Sequence, residues 1–285
     1  MLIEEYKRSL KMPEAEEVFD LIFYRPIGFV VVKAIYRLPI TPNQVTVLSL
    51  VTGLLAAWYF SIATTQALML AALWYAFANI LDCSDGQLAR LQGSGSLLGR
   101  VVDGVVDYVS SIAIFLGVGF GLAIQGQPMW WVVVLGGVSS ALHAIMFDHY
   151  QSEFISTVRS EQNFTDREQE QFAEEIRRMQ MEHRDGMKVF FLRMYLRYLA
   201  LQRRASTKSE MMRFDSGKYR EKNLYMIRMW SFLGPTTNRT ALIVSALFGK
   251  VDAFLWIVGT LGNAWLVVCY IRQRQIHRAL ELASA

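Results

Sequence analysis

Apolar segments of membrane length constrain this chain more than any other feature. A helix that crosses a bilayer needs about 20 mostly apolar residues, and it satisfies its own backbone hydrogen bonds without water. Hydrophobic residues fill 53% of the 285 positions and the mean hydropathy is +0.25, values that exclude an ordinary soluble domain. We therefore predict an all-α integral membrane protein, a bundle of six transmembrane helices. The predicted spans lie near Val45–Ala63, Ala67–Leu91, Leu97–Ile124, Met129–Phe147, Tyr225–Phe248 and Val251–Ile271.

Two stretches outside the spans carry much of the charge. Residues 14–38 mix apolar side chains with basic ones such as Arg25 and Lys33, which is typical of an amphipathic helix lying in the membrane interface. Residues 152–224 form a strongly charged insert, in which 188–204 have the composition of another interfacial helix. We expect one membrane domain, divided into an amphipathic N-terminal arm (1–40), four spans (41–151), the charged insert (152–224) and two spans with a basic tail (225–285).

The positions of lysine and arginine predict how the protein sits in the membrane. The net charge is +4, and the basic residues cluster in the N-terminal arm, in the turn after the second span, in the insert and in the tail. The other loops carry only Lys250. Because cytoplasmic loops are enriched in Lys and Arg, we predict that both termini and that turn face the cytoplasm. The same distribution accounts for the basic charge without a nucleic-acid partner. The charged first residues also lead us to expect no cleavable signal peptide.

Four aspartates interrupt two of the predicted spans. Asp82 and Asp85 lie near the end of the second, and Asp103 and Asp107 lie near the start of the third. Charged side chains at membrane depth are costly and usually functional. Spacings of three and four residues place both members of each pair on one helix face. Four converging carboxylates would repel each other unless cations held them, so we predict a divalent-metal site, and the absence of a nearby histidine favours Mg²⁺ or Mn²⁺ over zinc.

Small residues and one arginine accompany the acids. Gly86 and Ala89 keep the acid-bearing face of the second span slender, and Gly99 does the same for the third. A flat or phosphorylated group could therefore approach the backbone. Arg90 lies one turn beyond Gly86, where its guanidinium could hold a diphosphate, although an anchor on the cytoplasmic side is the alternative explanation. Paired divalent ions commonly clamp the oxygens of a phosphoryl transfer, which is consistent with such a ligand.

The pattern as a whole resembles the signature of the CDP-alcohol phosphotransferases, also called CDP-alcohol phosphatidyltransferases. The residues that carry the resemblance are Asp82-x-x-Asp85-Gly86-x-x-Ala89-Arg90, eight intervening residues, and Gly99-x-x-x-Asp103-x-x-x-Asp107. Thr41-Pro42-Asn43-x-x-Thr46 is similar to a weaker feature of that family at the start of the first span. The charged insert is longer than the family pattern leads us to expect.

The resemblance implies a reaction and a set of roles. A CDP-linked lipid such as CDP-diacylglycerol would lose CMP as the hydroxyl of a small polar alcohol attacks the β-phosphorus, a step of phospholipid biosynthesis. The family further implies two Mg²⁺ or Mn²⁺ ions, surrounding membrane lipids and a homodimer. The implied metal ligands are Asp82, Asp85, Asp103 and Asp107, of which Asp107 would also be the base that removes the acceptor proton. The implied CDP-binding residues are Asn43, Thr46, Asp85, Gly86, Ala89, Arg90 and Gly99.

The sequence alone also allows other interpretations of the four aspartates. A soluble CDP-alcohol could donate its phospho-alcohol to a lipid acceptor, a divalent-cation transporter would also need intramembrane carboxylates, and the acids could be a structural polar cluster. The acceptor could be glycerol 3-phosphate, inositol or its phosphate, or serine. A pocket for it could form near Asp148, His149, Tyr150, Arg100 and Arg239.

Overall fold

The computed structural model describes residues 2–159 and 215–284, together with short pieces between them. Every regular element in those two ranges is helical. The predicted interfacial helix at 188–204 lies outside the two ranges. The helices are α1 (Leu2–Ser9), α2 (Arg25–Ile35), α3 (Pro42–Ile62), α4 (Thr65–Gln92), α5 (Leu97–Ile124), α6 (Trp130–Val158), α7 (Ser216–Ser231), α8 (Pro235–Leu247), α9 (Val251–Ile257) and α10 (Asn263–Ser284). Short π-helical turns occupy Asp20–Tyr24 and Val258–Gly262.

Long apolar helices confirm the predicted all-α membrane fold. Within the described ranges, five helical stretches are long and apolar enough to cross a bilayer. They are Pro42–Ile62, Thr65–Gln92, Gly99–Ile124, Trp130–Val158 and Val251–Leu282. The predicted fifth span is not one of them, because it is divided into α7 and α8 at Gly234 and Pro235, and α8 has only 13 residues. The multi-span fold is thus confirmed, while the count of six stays a prediction.

Local capping signals fix where the first two spans begin and end. Thr41 and Gln44 form a reciprocal capping box at the start of α3. Ala63 adopts a left-handed φ of 56° after the last residue of α3, and the Thr64 hydroxyl then caps α4. Gly93, with a φ of 61°, ends α4. The short α3–α4 connection makes these helices antiparallel, so the acid-bearing end of α4 lies beside the start of α3.

Helix α3 packs closely against α5 as well as against α4. A Cβ atom added to Gly117 would lie 2.1 Å from the Ala57 carbonyl oxygen, and one added to Gly121 would lie 2.2 Å from that of Phe60. Only glycine allows the two backbones to approach this closely. The resulting core of α3, α4 and α5 holds the acid-bearing ends of α4 and α5 next to each other.

The N-terminal arm covers the half of α4 that carries the acids. Gly28 and Val32 of α2 pack on that half, and the Gln87 side chain donates hydrogen bonds to the Ser9 hydroxyl and to the Arg25 carbonyl oxygen, both at 3.1 Å. Several apolar side chains of the arm are exposed. They suit contact with lipid, and the interfacial placement of the arm stays a prediction.

Helices flanking the charged insert extend into it from both sides. Helix α6 continues to Val158, and α7 begins at Ser216. The Tyr219 hydroxyl of α7 donates a 2.9 Å hydrogen bond to Glu153 of α6, and both side chains are buried. The ends of the insert are therefore held together on the acid-bearing side of the bundle.

Candidate metal and nucleotide site

Three of the four aspartates converge at the junction of α4 and α5. Asp82, Asp85 and Asp103 each offer a carboxylate oxygen, and these three oxygens lie within 4.8 Å of one another. Oδ1 of Asp103 is buried and has no hydrogen-bond partner among the described residues. A buried carboxylate oxygen without a donor needs a cation or a proton to offset its desolvation. The cluster therefore fits a hard divalent cation, which prefers carboxylate ligands.

Thr46 supports one of these acids from α3. Its hydroxyl oxygen lies 2.6 Å from Oδ2 of Asp85 and 3.1 Å from the Pro42 carbonyl oxygen. A hydroxyl carries a single proton, so the shorter contact, to the charged group, receives it. Thr46 and Asp85 are 3% and 6% exposed. Thr46 therefore orients the carboxylate of Asp85. The spacing of these residues in the sequence did not predict this contact.

Arg239 of α8 joins the acids of the two long helices. One guanidinium nitrogen donates to Asp82 at 2.8 Å and to Asn79 at 2.9 Å, and another donates to Asp107 at 2.7 Å. Its side chain is only 12% exposed. Asp107 thus pairs with Arg239 and is not one of the three converging acids. It is linked to them indirectly, because Arg239 also binds Asp82, which belongs to the cluster. Sequence reasoning placed Arg239 only near a possible pocket, and it did not identify Asn79.

The predicted CDP-binding residues separate into two neighbouring groups. A Cβ added to Gly99 would lie 3.0 Å from Oδ1 of Asn43, which brings the starts of α3 and α5 together. A Cβ added to Gly86 would lie 3.4 Å from the Arg90 guanidinium. The Arg90 Nε donates to the Ser9 carbonyl oxygen of the N-terminal arm, while its NH2 is buried without a partner among the described residues. The Ala89 carbonyl accepts the backbone hydrogen bond of the turn that ends α4.

Other predicted acceptor residues lie in different surroundings. The ring of Tyr150 stacks on Trp230 at 4.3 Å, inside an apolar core shared by α6, α7 and α10. The His149 ring packs against Tyr150 at 4.9 Å, and Asp148 is exposed. Tyr150 is therefore a packing residue in this fold, and Arg239 contacts two of the acids directly.

Several known proteins have sequences similar to part of the chain. The archaetidylinositol phosphate synthase of Pyrococcus horikoshii is 35% identical over 108 residues, which cover 38% of this chain and 54% of that protein. The phosphatidylinositol phosphate synthase of Corynebacterium glutamicum is 31% identical over 114 residues, 40% of this chain and 47% of that protein. The bifunctional IPC transferase and DIPP synthase of Thermococcus kodakarensis is 37% identical over 97 residues, 34% of this chain and 21% of that protein. The alignments therefore span about half of these relatives or less.

A family model matches residues 39–158, under the description CDP-alcohol phosphatidyltransferase. This region contains α3, α4, α5 and α6. It therefore includes all four aspartates and every residue that carried the resemblance. Residues 39–158, which make up less than half of the chain, are therefore similar to the CDP-alcohol phosphatidyltransferase family.

Proposed function

We propose that this protein transfers a phosphatidyl group from a CDP-linked lipid, such as CDP-diacylglycerol, to the hydroxyl of a small polar alcohol, and releases CMP. The observation that carries the proposal is the convergence of Asp82, Asp85 and Asp103 within a segment that matches the family. Relatives named as inositol phosphate lipid synthases favour a phosphorylated inositol as acceptor over serine. Glycerol 3-phosphate, inositol and serine are tested beside inositol phosphate.

The acids would hold two Mg²⁺ or Mn²⁺ ions. When bound, such ions neutralise the diphosphate and the charge that develops on the attacking and leaving oxygens. Asp82, Asp85 and Asp103 supply the ligand oxygens, and Asp107 supplies a further one at the edge of the cluster. The Thr46 hydroxyl keeps Asp85 in a single orientation, since hydrogen-bond partners of this kind tune the ligands they hold.

Asp107 would act as the general base. Its side chain is 43% exposed, compared with 21% for Asp82, so an acceptor hydroxyl can reach it more readily. Arg239 binds Oδ1 of Asp107 at 2.7 Å and fixes the carboxylate. In the proposed step the acceptor oxygen forms a bond to the β-phosphorus, its proton passes to Asp107, and the bond to CMP breaks with the electron pair leaving on CMP.

The cytidine diphosphate would bind where the ends of α3, α4 and α5 meet. The small residues Gly86, Ala89 and Gly99 would let the nucleotide approach the backbone there, and Asn43 lies beside Gly99. Arg90 has a buried guanidinium nitrogen without a partner among the described residues, which a diphosphate oxygen would satisfy. We further propose that this site and both termini face the cytoplasm and that the protein is a homodimer.

The decisive assay uses purified protein in detergent with CDP-diacylglycerol and a panel of radiolabelled acceptors: inositol phosphate, glycerol 3-phosphate, inositol and serine. We expect Mn²⁺-dependent CMP release that equals the label recovered in lipid. The proposal fails if no acceptor yields CMP with metal present, or if transfer survives complete chelation of the metal. A parallel arm supplies a soluble CDP-alcohol with diacylglycerol, and turnover there alone would reverse the direction of transfer.

A second arm tests the transporter alternative with the protein in sealed vesicles. Mn²⁺ entry without any CMP binding would favour transport over transfer. The role of Asp107 is tested by Asp107→Asn. Loss of turnover with CDP-lipid binding retained supports the base, and loss of binding assigns Asp107 to the metal site alone.

A further inference from the structure

Helix α8, which carries Arg239, begins without a cap of its own. Its N-cap residue is Gly234, which has no side chain, and Pro235 at the first position has no N–H. The first free donors of the helix are the backbone amides of Thr236 and Thr237. An uncapped helix start that is buried needs an acceptor from elsewhere in the protein.

That acceptor is Glu17 of the N-terminal arm. One carboxylate oxygen accepts from the Thr236 amide at 3.1 Å, and the other accepts from the Thr237 amide at 2.8 Å. The Thr237 hydroxyl lies 2.9 Å from that second oxygen and 2.8 Å from the Ser231 carbonyl oxygen, so these two acceptors share its single proton. Glu17 is 3% exposed. Two backbone donors at a helix N-terminus favour a carboxylate, and they oppose burial and the nearby Asp20, which raise the pKa of Glu17 to about 8.

The fit between the arm and α8 is close. A Cβ added to Gly234 would lie 2.1 Å to 2.5 Å from the three carboxyl atoms of Glu17, so only glycine permits this contact. One turn further along α8, the Thr240 hydroxyl lies 3.1 Å from the hydroxyl of Tyr24, which belongs to the same arm. The arm therefore holds α8 at both ends of its first turns.

Arg239 lies between these two attachments. It follows Thr237 by two residues and precedes Thr240, and its guanidinium reaches Asp82 and Asp107 on α4 and α5. A shift of the start of α8 moves the guanidinium relative to both acids, because a helix moves as a rigid element.

We propose that Glu17 is a positioning residue of the transfer reaction: by capping α8 it holds Arg239 against Asp82 and Asp107. The proposal rests on the proposed function. In the described part of the chain, the side chain of Glu17 hydrogen-bonds to α8 and not to the acids of the site, so it would act on them through α8. It lies outside the segment that matches the family, so the proposal assigns a role in catalysis to the N-terminal arm.

The test compares Glu17→Gln with Glu14→Gln at a pH well above the raised pKa of Glu17, so that the comparison is made with the carboxylate form. Glu14 is the matched control, because it ties the same arm to Arg220 of α7 and makes no contact with α8. Amide hydrogen exchange is followed in the peptide that contains Thr236 and Thr237. We expect these amides to exchange about fivefold faster in Glu17→Gln and at the wild-type rate in Glu14→Gln. An unchanged exchange rate of these amides in Glu17→Gln would contradict the claim that Glu17 caps α8.

Coupling to the site is tested by a cycle with Arg239→Gln. We expect Glu17→Gln to lower kcat about tenfold with little change in KM, and the double variant to match Arg239→Gln alone. Mn²⁺ affinity, measured directly by electron paramagnetic resonance, should rise in Glu17→Gln and in Arg239→Gln, because Asp82 loses a competing ion pair. General loosening of the fold would lower it instead. Losses of kcat that multiply, or weaker Mn²⁺ binding in Glu17→Gln, would refute the positioning role.

Thr237→Val gives a second perturbation should Glu17→Gln fail to insert into the membrane. It removes the hydroxyl that Glu17 shares with the Ser231 carbonyl oxygen, and it keeps the shape of the side chain. We expect a smaller effect of the same sign on exchange and on Mn²⁺ affinity, and no change in either would count against the proposal. The exchange and Mn²⁺ measurements need no substrate. If wild type turns over no CDP-lipid, the proposed function and the catalytic role of Glu17 fall together, while the exchange result separately decides the cap.

Discussion

Thr46→Val removes one hydrogen bond from the acid cluster and leaves the shape of the side chain nearly unchanged. The lost contact is the 2.6 Å bond from the Thr46 hydroxyl to Oδ2 of Asp85. Both residues are buried, at 3% and 6% exposure, so water does not replace the donor. A hydrogen bond to a charged group contributes about 1.5–3 kcal/mol, and we expect a loss of about 2 kcal/mol in the free energy of unfolding.

The same bond orients a proposed metal ligand. Removing a partner of this kind typically weakens metal binding about 10–100-fold, and we expect Mn²⁺ affinity in Thr46→Val to fall within that range. CMP release should then become half-maximal at a correspondingly higher Mn²⁺ concentration, with kcat partly restored at saturation. The assay is a Mn²⁺ titration of purified protein in detergent, followed both by electron paramagnetic resonance and by CMP release.

Thr46→Ser is the matched control, since it keeps the hydroxyl and removes only a methyl group. Its Mn²⁺ affinity should stay close to that of wild type. If Thr46→Val and Thr46→Ser bind Mn²⁺ equally well, Thr46 does not orient Asp85, and the reasoning that links the 2.6 Å contact to metal binding is wrong.

Two further predictions concern packing and pH. Gly117→Ala should lower the free energy of unfolding by about 1–3 kcal/mol, because its Cβ would meet a backbone oxygen of α3 at 2.1 Å. Gly137→Ala is the control and should melt like wild type, since its Cβ would make an ordinary 3.5 Å contact. Equal melting temperatures of the two variants would contradict the close approach of α3 and α5. The hydrogen bond from Arg220 holds the pKa of Glu14 below 4.5, so the pair stabilises the fold above that pH and this contribution is lost as the pH falls through the lowered pKa. A Glu14→Gln variant should therefore lose a small part of the melting temperature at neutral pH and converge with wild type in acid, and a difference that persists in acid would argue against the pair.

Much of the fold could be predicted because its signals are local. The bounds predicted for the third span match α5 (Leu97–Ile124), since a Ser-rich turn and the end of the apolar run are both visible in the sequence. Helix α3 begins three residues before the predicted Val45, because its capping box precedes the apolar run. The segment predicted as the fifth span is divided at Gly234 and Pro235 into α7 and α8, and its crossing of the membrane stays a prediction.

Part of the candidate site could also be predicted from local sequence signals, and part could not. Asp82 and Asp85 could be paired because their spacing follows the helical repeat, and Asp103 could be grouped with them because both helices carry their acids near the same junction. The partners that hold the acids are distant in the chain: Arg239 is 157 residues from Asp82, and Thr46 is 39 residues from Asp85. Contacts of that separation depend on how helices pack, which periodicity does not encode. A charged residue such as Arg239 inside an apolar segment was the available signal, because a buried cation needs a counter-charge.

Asp103→Asn tests the central claim most directly, since it removes the charge of the acid whose Oδ1 lies buried without a donor among the described residues. Mn²⁺ binding and CMP release are measured on the same purified sample, after membrane insertion and melting temperature have been compared with wild type. We predict that Asp103→Asn stays inserted and folded, binds Mn²⁺ far more weakly and releases no CMP. Wild-type Mn²⁺ affinity and turnover in this variant would contradict the metal-dependent transfer proposed for the acid cluster.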